Sequence, residues 1–288
     1  MTRASGSAGD GYRFAQPILR ATLRPTTPDS EIKMQVCGLC LQMVSKLARS
    51  HIVPKALVTQ DLPKDEYLAI VGTSRTSRPV ISTTGIWSRI VCPPCEASFG
   101  PDDEYLITAI RGLEAYPTSF EGQVTALHDV DPFRLKRSLL SILMRGHLSD
   151  HRMYSTVDIG PYAEVIRRHL RNEQEDPKEV AVFLRHITGP LGGITTAPIR
   201  ERWEGVNAYR LFFPNLTAMI KLDRRPFPSP FPLIQLGATD PPLALRFQNP
   251  TPSERNLIYR IADSHKEHLR KIMGKFSGRY EGLTGGDA

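Results

Sequence analysis

Apolar and polar positions alternate over short stretches through the front of the chain. On that pattern Lys33 to Val36, Leu41 to Leu47, Tyr67 to Val71, Val80 to Ser82 and Ile86 to Val91 read as strands. Ser50 to Lys55 reads as a turn, because Pro54 limits regular structure there. Cys92-Pro93-Pro94-Cys95 leads into a helix. Pro101 with Asp102, Asp103 and Glu104 after it reads as that helix's first turn, the acids complementing the dipole, and the helix runs on to Leu113.

Further along the period changes. Asp131-Pro132 starts a helix, with Asp as cap and Pro at the first position. Its Phe133, Leu139, Leu140, Ile142, Leu143 and Met144 cover most of the circumference, which predicts deep burial. Gly160-Pro161 opens another helix, carrying Arg167, Arg168 and Arg171. Asp176 to Glu179 has capping-box spacing, whereas Val180 to Leu184 has strand composition, so this element stays open between the two. Tyr209 to Phe213, Thr217 to Leu222, Leu233 to Leu236 and Leu243 to Phe247 read as strands, with the stiff proline-rich stretch Arg224 to Pro232 among them. Thr251-Pro252-Ser253-Glu254 begins a last helix with Leu257, Ile258, Ile261, Leu269, Ile272 and Phe276 at helical spacing. The expected fold class is α+β.

Composition narrows the setting. The 288 residues are 40% hydrophobic and 23% charged, ordinary for a globular chain. No apolar run reaches the ~18 residues of a membrane span, so no membrane partner is expected. Residues 1–30 lack the apolar core of a secretory signal and read as a disordered tail. The expected location is the cytoplasm, where paired cysteines mean metal more often than disulfide. The formal net charge is +7, and arginine dominates the 37 basic residues. That suits a phosphate-rich partner, and it equally fits a GC-rich coding sequence.

All four cysteines fall in two C-x-x-C knuckles, Cys37 to Cys40 and Cys92 to Cys95. Each knuckle presents two sulfurs from one tight turn, and four thiolates make a tetrahedral zinc site. Gly38 suits such a turn by tolerating a positive φ. The separation of the knuckles exceeds that of a simple zinc ribbon, so something is inserted between them. His147 with His151, and His265 with His268, have helical spacing but no third ligand in sight.

Between the knuckles stands Ser50-His51-Ile52-Val53-Pro54-Lys55, and the second knuckle continues as Cys95-Glu96. In this order and spacing the chain resembles the zinc-bearing branch of the HNH, or ββα-metal, endonuclease family. That branch shows a first knuckle, an Asp-His-Ile-x-Pro stretch, and a second knuckle at the start of a helix. The likeness covers about residues 33–110. It implies a zinc-stapled ββα-metal module in which His51 is the general base of phosphodiester hydrolysis, with magnesium or manganese as the catalytic cation. The chain departs from the pattern at Ser50, where the family has a metal-ligating Asp, and at Glu96, where Asn or His is usual. Glu96 is therefore the expected divalent-metal ligand. Arg49, Lys55 and Arg89 flank the motif as candidate nucleic-acid contacts.

The chain thus divides into a tail (1–30), a zinc-binding HNH-like module (31–116) and a mixed α/β domain (117–288), the last a possible surface for a protein partner. The expected function is metal-dependent cleavage of nucleic acid, DNA first. The alternative is a catalytically degenerate zinc-dependent module that binds nucleic acid or protein.

Overall fold

The computed structural model describes residues 33–58, 68–70, 80–82, 84–113, 124–187, 195–213, 215–227 and 231–247, with a few helical positions between 255 and 267. The expected tail, His265, His268 and most of the helix starting at Thr251 lie outside the described residues. The described residues from Met34 onward belong to one compact unit.

The front part is built from short strands. β1 (Gln35–Val36) pairs antiparallel with β2 (Met43–Val44) around the first knuckle. β3 (Arg49–His51) is followed by the single turn α1 (Lys55–Val58). β4 (Leu68–Ile70) and β5 (Val80–Ser82) pair with each other. β6 (Trp87–Arg89) returns to pair antiparallel with β3. The stretch from Ser50, expected as a turn, therefore begins inside a strand. Pro54 ends that strand rather than excluding it, since the ladder closes at His51.

The helix α2 (Pro93–Leu113) is one uninterrupted element, and Pro101 sits inside it rather than at its start. An interior proline costs a helix about 3 kcal/mol. Here both flanks are tied down: Phe99, Leu106, Ile110 and Leu113 are buried, and Asp102 and Asp103 are held by arginines of the next helix.

After β7 (Val124–Ala126), α3 (Pro132–Leu148) starts as its sequence predicts, with Asp131 Oδ1 accepting from the backbone N–H groups of Phe133 and Arg134. It packs against both α2 and α4 (Tyr162–Leu170). β8 (Val180–Ile187), β9 (Ile199–Trp203), β10 (Val206–Phe213), β11 (Leu216–Leu222) and β12 (Leu243–Phe247) complete the set. The main sheet has the order β7-β12-β8-β11-β10-β9, antiparallel except for β12 with β8. The open choice at residue 180 resolves as strand. Asp176 is drawn away from a capping role by the ammonium of Lys136, 2.9 Å distant. Leu233 to Leu236 is not a strand. Phe231–Leu233 forms a 3-10 turn, and only Gln235 makes a bridge, to Phe183.

Side-chain alternation sorts the sheet's two faces. Val180, Val182, Leu184, Tyr209, Leu211, Ala218 and Ile220 join the helices in the main core. Ala181, Phe183, Val206, Ala208 and Met219 point the other way and are covered by Phe227, with Trp203 and Phe231 packed alongside. The proline-rich stretch thus carries two aromatic rings onto the sheet. The main core runs without a break from Cys37 through α2 and α3 to Ala244. The sequence division at residue 116 is therefore not a division of the core.

No helix among the described residues is long and apolar enough to cross a membrane.

Candidate metal centre and the adjoining ribbon

The two knuckles meet. The four sulfurs of Cys37, Cys40, Cys92 and Cys95 all lie within 4.8 Å of one another. A zinc tetrahedron with Zn–S bonds near 2.3 Å has sulfurs about 3.8 Å apart, and Cys40 Sγ to Cys92 Sγ is 3.8 Å. The donor set and its size fit a metal ion such as zinc. Cys37 and Cys92 are buried, Cys40 and Cys95 partly so.

Backbone pairing brings the knuckles together. Gly38 N–H donates to Ile90 O at 2.8 Å and Ala48 N–H to Val91 O at 2.8 Å. Gly38 is required for closeness rather than for a positive φ: a Cβ there would meet both terminal methyls of Leu148 at 2.9 Å and Ile90 O at 3.0 Å. The left-handed residue of this turn is Leu41, at φ 60.

Burial raises the Cys37 thiol, but the backbone N–H groups of Cys40, Cys92 and Leu39 outweigh it and bring the pKa down to about 7. Burial and the neighbouring sulfurs push Cys95 up, and burial does the same at Cys40. Cys37 is thus partly thiolate at neutral pH without a metal, whereas Cys40 and Cys95 need an ion's charge to ionise.

The β3–β6 ribbon adjoins this centre. Its register pairs Arg49 with Arg89, Ser50 with Ser88 and His51 with Trp87. Opposed residues share a face, so Ser50 and Ser88 point inward and are buried. Ser88 Oγ donates to Asp150 Oδ1 at 2.9 Å and meets Ser149 Oγ at 2.8 Å. Ser50 faces Glu96 on α2, and its hydroxyl favours the charged carboxylate. Yet neither Ser50 Oγ nor Glu96 Oε2, both buried, completes a hydrogen bond. Burial raises the Glu96 pKa against the pull of Ser50 and Arg145.

The outer face of the ribbon carries Arg49, His51, Trp87 and Arg89. The guanidinium of Arg49 lies 3.8 Å over the Trp87 ring. His51 is half-buried, and burial, with Arg49, Arg145 and Lys55 around it, lowers its pKa against a small opposing effect of Asp103. Its imidazole is neutral at neutral pH.

Sequence reasoning did not find Arg145. This α3 residue is fully buried, and its guanidinium reaches His51 O at 2.7 Å and both carboxylate oxygens of Asp103, with the Phe99 ring 4.9 Å away. Glu96, Phe99 and Asp103 form one stripe of α2, and Arg145 is seated against it. The available signal was a basic residue directly after the mostly apolar stretch Leu139 to Met144.

The structure therefore brings the four cysteines together and sets Ser50 against Glu96, whereas Ser50 and His51 leave the strand on opposite faces. Lys55 is exposed at the start of α1. His147 Nδ1 lies 3.8 Å from Asp158 Oδ1 without a hydrogen bond, whereas His151 Nδ1 accepts from Met153 N–H. The chain matches no family model, and neither the curated proteins nor the solved structures show a significant similarity to it.

Proposed function

We propose that this chain is a zinc-stapled nuclease of the HNH type, hydrolysing phosphodiester bonds in nucleic acid, DNA first, with His51 as general base. The observation that supports it best is that Ser50 on β3 faces Glu96 on α2, with Ser50 Oγ and Glu96 Oε2 both buried, while His51, the next residue of the strand, turns its neutral imidazole to the ribbon's other face. Magnesium is commonly held by one or two carboxylates together with substrate phosphate and water, and Glu96 offers one carboxylate. Such an ion supplies charge on the scissile phosphate and its leaving oxygen.

The residues themselves do the rest. His51 takes the proton of the attacking water on a ring nitrogen, which its lowered pKa leaves free. Arg145 holds the strand end by its bond to His51 O. Cys37, Cys40, Cys92 and Cys95 would hold a zinc ion that ties the first knuckle to the start of α2.

A second reading, a catalytically degenerate module that binds nucleic acid or protein, draws on the donor set. Ser50 replaces the family's Asp, and Asp103 is engaged by Arg145. Among the described residues the four cysteines form the one group of three or more such side chains able to hold a metal.

Nicking of supercoiled plasmid in magnesium or manganese decides between them. The nuclease reading expects nicking that falls at least ~100-fold in His51→Ala and is lost in Glu96→Ala, with zinc content unchanged in both. No nicking with any divalent ion, or nicking indifferent to both substitutions, overturns it.

A further inference from the structure

We propose that the outer face of the β3–β6 ribbon is a platform for single-stranded nucleic acid, on which Trp87 stacks an unpaired base while Arg49 and Arg89 hold the flanking phosphates. The proposal rests on nucleic acid being the partner of this module and names its form.

The first observation is a charge arrangement that works against the fold. Arg49 and Arg89 stand directly opposite each other across the ribbon. Like charges in that position destabilise a strand pair. Both are exposed, and neither makes an ion pair among the described residues. An anion laid across the ribbon would turn that repulsion into attraction, and bidentate contact with phosphate is what a guanidinium does best.

The second observation is the ring beside them. Trp87 is 36% exposed on the same face, although burying a tryptophan is among the most favourable packing moves open to a chain. Arg49 covers one side of the ring at 3.8 Å. That stack orders the guanidinium and leaves the rest of the indole available. Every base has a face that stacks on an aromatic ring, but in a duplex those faces are already stacked on neighbouring pairs. A tryptophan beside two arginines that make no ion pair among the described residues therefore favours a strand whose bases are free. The half-buried imidazole of His51 lies opposite Trp87 in the same row, so a strand held here passes the group assigned above as general base.

Binding of a labelled oligothymidylate, measured by anisotropy without added divalent ion, tests the platform apart from any cleavage. Trp87→Ala should weaken binding about tenfold, Trp87→Phe should recover most of it, and a duplex of equal length should be indifferent to either. Arg89→Ala should lower the slope of log affinity against log salt by about 0.7. Zinc content reports whether each variant keeps the fold. The chain has two tryptophans, and the other, Trp203, is packed among Phe183, Phe227 and Phe231. In a Trp203→Phe background the emission that remains is that of Trp87, and the oligonucleotide should quench it. Equal affinity in Trp87→Ala and the parent, equal losses on single strand and duplex, or unquenched Trp87 emission at saturation would each overturn the proposal. Trp87-dependent binding without plasmid nicking would keep the platform and sink the nuclease. Nicking without such binding would do the reverse.

Discussion

Arg145 donates from Nη1 to the main-chain oxygen of His51 at 2.7 Å, across 94 residues of sequence. The bond ties the end of β3 to α3, an element beyond the cysteine-bearing segment. Asp103 on α2 closes the arrangement by accepting from both terminal nitrogens of the same guanidinium. β3, α2 and α3 are thus joined at one buried charge.

Removing that charge should be costly. Arg145→Met leaves Asp103 without its cation and the His51 carbonyl without its donor, and breaking a buried pair costs about 3 kcal/mol or more. Arg145→Lys keeps the charge but loses the fork, and should recover only part of the loss. Urea unfolding midpoints check this; a loss under ~1 kcal/mol in Arg145→Met would mean the pair contributes little beyond its own desolvation.

His51 should titrate below the ordinary histidine value of about 6.5. Burial and the cations of Arg49, Arg145 and Lys55 all disfavour its proton, with Asp103 the one opposing group. The unfolded chain therefore takes up the proton first as pH falls. The stability that His51 contributes is complete above about 6.5 and is lost as pH drops through that value toward the folded pKa. An NMR titration, with the resonance assigned through His51→Gln, should place the midpoint under 6.5. Arg49→Ala should raise it. A midpoint at or above 6.5 would contradict the reading of this environment.

Zinc should be found at about one per chain, and its removal by a strong chelator should lower the thermal midpoint and expose the cysteines to thiol reagents. Because burial and neighbouring sulfurs raise Cys40 and Cys95 while Cys37 sits at about 7, re-metallation at neutral pH should release protons. Proton uptake or release followed in weak buffer measures this directly. Full thermal stability in metal-free protein would remove the structural role assigned to the cysteines.

Gly38→Ala should destabilise the knuckle by about 1–3 kcal/mol, the usual cost of overpacking, because its methyl would meet Leu148 at 2.9 Å and Ile90 O at 3.0 Å. Pairing it with Leu148→Ala should relieve the clash with the side chain but not the one with the carbonyl. A double-mutant cycle on unfolding free energies therefore expects a favourable coupling that falls short of full rescue.

The elements most legible in the sequence were those governed by local chemistry. Asp131-Pro132 announced α3, and the knuckle spacing announced a four-sulfur cluster. What the sequence hid was set by partners far away in the chain. Pro101 looked like a helix start because its neighbours are acids, but those acids are drawn to Arg137 and Arg145 and keep the helix whole through the proline. The run from Ser50 looked like a turn because β3 has only three residues and finds its partner at β6. The division of side chains between the two faces of that ribbon depends on a pairing register that no local pattern encodes, so the outward row of Arg49, His51, Trp87 and Arg89 could be read only once β6 was in place.

The shared core has a consequence for how this chain can be handled. A fragment ending near residue 116 would strip α3 from α2, bare Phe99, Leu106 and Ile110 to water, and strand Asp103 without Arg145. Such a piece would report on its own collapse and say nothing of what the cysteine-bearing part does. That part cannot be moved between proteins as a cassette, because its core is closed by α3, which arrives after it in the sequence.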